Sequence, residues 1–471
     1  MALVSEPAAP PADGLVGEAP PSPAGPADAD EAARLPEPPA VPLPRTLQVL
    51  RFSQRQIQVV FRARRELGEV FRVRGIIPGR PVITSHPDHV RSLFTAKPEQ
   101  APSLTGESPL RPIVGESVLT AIGPRHMRQR KLLLPPFHGE AVTRYSQMIS
   151  DAAEREIDRW PVGREFALAP RMQAITLDVI MSGIFGIEGR PKPGTAEHAL
   201  RMATKNLVAA STWPVAQISE LMNIGRDEPT GLLRAAMFVL DRPTYAVISK
   251  RRRAADLEGR GDILSLLLHA RTEDGEMLTD RELRNELLTL VLAGHETTAN
   301  SLAWTWERLV RNPEAYDRLR ETVRSDDRVE ENVEATITEG MRVRPVIPMI
   351  GRRVTVPWRL GDYAVEAGAP ISMSILLLHH REDLYPQPFA FRPERWLSHK
   401  PGTYEWIPFG GGIRRCLGAA LAMAEQRVVL EAMTRRLDLE ADRAEPEHAV
   451  HRNVTMIPSR GARVVVRRRL A

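Results

Sequence analysis

The sequence predicts a mainly α-helical protein carrying small β-sheets. Helical periodicity dominates from about Glu140 to Val310. Short β-like runs bounded by Gly and Pro follow from Arg352 to Ile371, and Val454 to Val466 reads as a hairpin. No internal repeat interrupts this order. At 471 residues, 42% of them hydrophobic, the chain can bury a sizeable core. Length alone leaves open several domains or one large helical fold.

The elements follow in order. Residues 1–45 are rich in Pro and Ala and lack the basic and apolar regions of a signal peptide, so they read as a disordered lead-in. Residues 54–70 read as an amphipathic helix, then come strand-like pieces at Val70–Val73 and Pro81–Thr84 and a helix from about Pro87 to Thr95. Ala101 to Gly115 is dense in Ser, Pro and Gly and is expected to be a mobile loop. Turn signals stand near Gly186–Gly194 and Asp227–Gly231. A long helix opens at Thr279-Asp280-Arg281-Glu282, which has capping-box spacing, and runs to the stop at Asn312-Pro313. Another covers about Val329 to Val343.

Composition excludes several classes. One cysteine rules out an intramolecular disulfide framework and fits a reducing compartment. No apolar run nears the ~18 residues of a membrane span. The net charge of +5 and the pI near 9.5 raise nucleic-acid binding. The charges interleave with acids, however, and cluster only at Arg251–Arg253 and Arg467–Arg469, so they read as a solvated surface. Arg far outnumbers Lys, a compositional mark of a GC-rich genome.

The lone cysteine carries the chemistry. Cys416 lies in Phe409-Gly410-Gly411-Gly412-Ile413-Arg414-Arg415-Cys416-Leu417-Gly418, just before a helix-like segment. A free cysteine is usually a small buried hydrophobe. Here a helix N-terminus and two arginines are expected to favour the thiolate. A single thiolate makes a poor zinc or iron–sulfur site, which needs several ligands. It makes a good fifth ligand for haem iron, whose porphyrin supplies four.

Phe-x-x-Gly-x-Arg-x-Cys-x-Gly, from Phe409 through Gly412, Arg414 and Cys416 to Gly418, resembles the cysteine-loop motif of the cytochrome P450 family. The resemblance implies a triangular, helix-rich single haem domain over residues 46–471, haem b bound through Cys416, and a soluble, cytoplasmic, bacterial-type member. Ala293-Gly294-His295-Glu296-Thr297-Thr298 in the long helix matches the family's oxygen-activating motif. Gly and Thr there are expected to open the helix locally. By resemblance Thr297 would hold activated dioxygen and a water, and Glu296 would relay protons; His295 fills a variable position. Glu339, Arg342 and Arg395 would form a buried cluster that locks the segment leading to the cysteine loop. His126 and Arg130, four apart on one helical face, and Arg414 would hold the haem propionates. Arg353 is a further candidate, although its neighbour Arg352 could take that role.

The implied activity is a haem-thiolate monooxygenase that inserts one oxygen atom into a hydrophobic organic substrate. Only 55 residues follow Cys416, and no flavin or iron–sulfur motif is visible. Electrons are therefore expected from NAD(P)H through a ferredoxin reductase and a ferredoxin. A basic patch of Arg128, Lys131, Arg415 and Arg427 could steer an acidic donor. The alternatives are a peroxide-driven peroxygenase or a non-catalytic haem sensor or electron carrier. A monomer without a membrane anchor or nucleic-acid partner is expected. The pocket should draw on Ser103–Val118, Leu207–Leu221, Leu292, Val346–Met349 and Thr455–Ile457, which are mostly apolar.

Overall fold

The computed structural model describes residues 19–470, except 75–78, 138, 188, 190, 211–218, 220–221, 224, 272–274 and 453. Most of the expected segment Leu207–Leu221 thus lies outside the described residues. The longest element is the central helix, Asp280–Leu309. Its start is the capping box that the sequence spells: Thr279 Oγ1 accepts from Glu282 N–H at 3.2 Å, and Glu282 Oε2 accepts from Thr279 N–H at 3.0 Å. The second half of the helix is buried on all sides, with Trp304 and Trp306 fully enclosed. A helix with no solvent face belongs at the middle of a large core. Three of its threonines are satisfied within the helix: the hydroxyls of Thr289, Thr297 and Thr305 each donate to the carbonyl four residues earlier.

Helix Ala169–Phe185 packs along the central helix, and Gly294 permits the approach. A Cβ there would stand 2.9 Å from Ile180 Cδ1. The glycine is thus a packing residue, and the central helix runs unbroken through it. That corrects the expectation of a locally opened helix. Helix Val329–Val343 also packs on the central helix, with Gly340 against Thr305, and helix Ala419–Arg436 joins it through Ser301 Oγ, which donates to Gln426 Oε1 at 2.6 Å.

The sheets are small. A four-stranded sheet runs in the order Val70–Arg72, Val82–Thr84, Pro370–Ser374, Met349–Arg353, its middle pair parallel and the outer pairs antiparallel. The expected hairpin at Val454–Val466 is instead divided. Thr455–Pro458 pairs with Ala449–Arg452, whereas Arg463–Arg469 lies between Glu165–Ala167 and Leu437–Ala441 in a separate sheet. A turn at Ser459–Gly461 parts the two runs: the first pairs with the strand just before it, and the second finds its partners farther away in sequence.

The lead-in needs a second correction. Residues 24–26 form a strand on the edge of Trp358–Leu360, and Ala29–Arg34 is a helix capped by Asp28. Ser22 N–H donates to Asp88 at 2.9 Å, and Ser22 Oγ lies 2.9 Å from His89 Nε2. Proline-rich composition disfavours autonomous structure, but this strap borrows a sheet edge and two buried histidines, His89 and His86, whose Nε2 lies 2.8 Å from Pro20 O. The loop Ala101–Gly115 also carries structure: a 3-10 turn at Leu104–Glu107 and a short helix at Arg111–Val114.

Candidate active site

Cys416 stands at the end of a loop that closes on itself. Its N–H donates to Phe409 O at 2.9 Å, and Gly412–Arg414 forms a 3-10 turn between them. Gly412 has φ +62, and a Cβ on it would lie 2.3 Å from Phe94 O. Only glycine lets the loop press against the end of helix Pro87–Thr95 in that conformation. The Phe409 ring meets the Trp406 indole edge-on at 6.1 Å between centroids, which ties the loop to the main core. Gly418 caps helix Ala419–Arg436, two residues beyond the sulfur.

Cys416 is enclosed by protein, yet its side chain is accessible. The two facts agree if the thiol faces an interior cleft. Ala293 of the central helix and Ala420, just after the loop, are likewise accessible inside the fold. Burial pushes the Cys416 thiol up, against the pull of the Gly418 N–H, Arg130 and Arg415. The expectation that the loop alone favours thiolate is therefore reversed. Desolvation outweighs two partly solvated arginines, and a cation bound at the sulfur would favour the thiolate.

Three arginines and a neutral histidine gather near this cleft. His126 is buried, and burial followed by Arg414, Arg130 and Arg352 pushes its pKa down to about 4. Arg414 is pushed down to about 10 by burial and then by Arg352 and Arg130, and Arg352 by burial to about 10. Arg414 donates to the carbonyls of Val118, Leu119 and Ala121, and Arg130 Nη1 to Arg415 O at 2.8 Å. No carboxylate among the described residues pairs with Arg130, Arg352 or Arg414. His126 Nδ1 is buried without a partner. Such a set calls for an anionic group of another molecule.

Arg353 is not part of it. Its guanidinium makes a forked pair with Glu107 at 2.7 and 2.6 Å and donates to Gly368 O. The neighbour Arg352 turns inward, because alternate residues of strand Met349–Arg353 face opposite sides. Its guanidinium lies 5.7 Å from the centre of the Phe94 ring. Of the two candidates that the sequence left open, Arg352 is the one that turns inward.

On the central helix, Thr297 Oγ1 donates to Ala293 O at 2.7 Å, which holds the hydroxyl against the helix one turn from accessible Ala293. Glu296 points to the hairpin Ala449–Pro458: its Oε1 lies 3.4 Å from Arg452 Nε, and Thr455 Oγ1 is nearby. Burial raises the Glu296 pKa, and Arg452 opposes it. Nothing in the sequence pointed to Arg452, which lies more than 150 residues from its partner. His295 is buried and held neutral, its pKa pushed down to about 4 by burial and Arg452.

The Glu339 cluster is fully formed. Arg342 makes a forked pair with Glu339, 2.8 Å on both arms, and Arg395 Nε joins at 3.2 Å. Trp396 Nε1 and the Arg392 N–H complete the carboxylate at 3.0 and 2.8 Å. Arg342 also donates to the carbonyls of His379, Pro388 and Ala390. Burial opposes ionisation of Glu339, but the two guanidinium groups outweigh it and hold the pKa below its ordinary value.

The donor set suits a haem. Among the described residues no three His, Cys, Asp or Glu side chains come together as a metal ion would need. A metal at Cys416 must bring its other ligands in a prosthetic group. The orphaned His126 nitrogen and the unpaired arginines fit that group's carboxylates.

The comparisons agree. The family profile "Cytochrome P450" matches residues 36–466. The Mycobacterium tuberculosis protein named cytochrome P450 137 is 36% identical over 451 residues, covering 91% of this chain and 90% of that one. Cytochrome P450 138 of Mycobacterium bovis is 36% identical over 434 residues, covering 92% and 96%. The cyanobacterial CYP120A1 structure, with retinoic acid bound, superposes with a TM-score of 0.77 at 23% identity over 93% of this chain and all of that one. CYP102L1 does so with a TM-score of 0.78 at 22% identity over 92% and 100%. The chain belongs to the cytochrome P450 family. It is a haem monooxygenase, and no helix among its described residues is long and apolar enough to cross a membrane.

Proposed function

We propose that this chain hydroxylates a hydrophobic organic compound, using dioxygen and two electrons delivered from NAD(P)H by a ferredoxin reductase and a ferredoxin. The observation that carries the reading is the lone thiol of Cys416 facing an interior cleft beside three arginines that no described carboxylate pairs and the orphaned nitrogen of His126. Cys416 would ligate the haem iron, while His126, Arg130, Arg352 and Arg414 would hold the haem carboxylates. When bound, the haem supplies oxygen activation, favoured by an electron-rich thiolate. The chain supplies the rest. Thr297 offers a hydroxyl that can release Ala293 O to orient a water. Glu296 moves protons, its charge buffered by Arg452. Apolar residues exclude bulk water from the reacting centre.

The donor face is less basic than its sequence implies. Arg427 pairs with Glu330 and Glu334, and Arg128 with Glu276. Exposed pairs of this kind are worth about 0–1 kcal/mol, so an incoming acidic partner can displace them. Arg415 is exposed and keeps its charge free of carboxylates among the described residues.

The test is an optical titration of purified ferric protein with fatty acids, sterols, terpenoids and aromatics. The control is the carbon monoxide spectrum of the reduced protein. A thiolate-type band with a high-spin shift for one class establishes the reading and names the substrate class. Folded protein without that band overturns the role of Cys416.

A further inference from the structure

The segment Ile113–Ala121 joins two parts of the site that are distant in sequence. Three consecutive residues of the central helix hold its first half. Arg284 Nη1 donates to Ile113 O at 2.7 Å. Asn285 fills the space beside Gly115, where φ is +58 and a Cβ would lie 2.5 Å from Asn285 Nδ2. Glu286 accepts the Val118 N–H on both oxygens, at 3.1 and 3.0 Å. The segment is also braced internally. Thr120 Oγ1 donates to Gly115 O at 2.6 Å and accepts from Ser117 N–H at 3.0 Å. Its second half offers the carbonyls of Val118, Leu119 and Ala121 to Arg414. The residue that Glu286 holds by its N–H is thus the one that holds Arg414 by its C=O.

We propose that Glu286 is a positioning residue for Arg414, acting through Val118. This rests on the reading that Arg414 faces a haem carboxylate. Glu286 is itself buried, so an acid here is costly unless its oxygens are used. The carbonyls of residues 118–121 form the described anchorage of the Arg414 guanidinium. Without Glu286 the central helix loses its hold on Val118, and those carbonyls are free to shift. A displaced Arg414 withdraws positive charge from the cofactor, and an added electron is then held less tightly.

The test measures the ferric–ferrous equilibrium of the full-length haem protein, with the carbon monoxide band as control. E286L is expected to keep the thiolate-type band and to make reduction about tenfold less favourable, which is about 59 mV for a one-electron couple. E286Q retains an acceptor oxygen and is expected to restore the wild-type value within about threefold. In an R414Q background, E286L is expected to add nothing, because residues that act through one another are not additive. An E286L potential equal to wild type, or the same shift in both backgrounds, overturns the proposal while leaving the haem assignment standing. If E286L does not fold, E286D takes its place. Its shorter reach withdraws the carboxylate from Val118, and a wild-type potential there is equally fatal. Wild-type protein without the band overturns the haem-thiolate reading and this proposal with it.

Discussion

Thr297 spends its hydroxyl on Ala293 O, a bond that a helix does not need. The group is therefore available when a better acceptor arrives. T297A is expected to cut product per NAD(P)H consumed by about a hundredfold, the lower end of the range for a proton-handling group, and to release peroxide. Measuring product, peroxide and NAD(P)H together checks it; unchanged coupling would remove Thr297 from the proton path. Arg352 and Arg353 make a sharper contrast. R352L is expected to lose haem severalfold faster than wild type in a transfer assay to an acceptor apoprotein. R353L, which breaks the exposed pair with Glu107 and one bond to Gly368 O, both outside the cleft, is expected to match wild type, consistent with the small value of such pairs. Equal loss from both variants would return Arg353 to the site.

At the scale of elements, the Glu339 cluster decides whether the cysteine loop has a fixed approach. Glu339 and Arg342 share one helix turn, but their value comes from the carbonyls and nitrogens brought in by residues 379–396. Removing one partner leaves two buried guanidinium groups uncompensated. E339Q is expected to cost about 3–5 kcal/mol in denaturant unfolding and to lower haem content in the purified protein. A loss under 1 kcal/mol would mean the cluster is merely packed. The spacing of Glu339 and Arg342 was legible in the residues themselves; their burial was expected only from the family resemblance, because nothing local shows which turn of a helix will be covered. The central helix shows the converse. Its capping box and proline stop are local chemistry and could be read directly, whereas the reason for Gly294 lies in Ile180 on another helix.

At the scale of the whole molecule, buried acids set the pH dependence. Burial pushes Glu425 up to about 8, and Glu286 likewise, against the pull of the Val118 N–H. Each folded-state pKa lies above the ordinary value of 4.5, so between about pH 4.5 and 8 the folded protein holds a proton that the unfolded chain has lost. Stability therefore falls as pH rises through that window. Buried histidines act oppositely below their ordinary 6.5, since His126 and His379 are held neutral in the fold. Between pH 6.5 and 8 the acids dominate these two sets. E425Q is expected to flatten the decline in unfolding free energy over that range by up to about 2 kcal/mol. An identical slope in wild type and E425Q would show that Glu425 ionises without cost.

By itself the sequence determined the class of protein, the thiol that defines its chemistry, the start and stop of the central helix, and the acid–alcohol pair upon it. Those features are carried by neighbours within about ten residues, where turn geometry, capping and helix periodicity act. Tertiary structure alone decided that Arg352 rather than Arg353 turns inward, that Arg452 meets Glu296, that residues 19–45 are strapped to a sheet edge, and that desolvation outweighs the arginines at Cys416. Each of these depends on which distant surfaces exclude water from one another. Burial and long-range pairing, not local preference, set those energies.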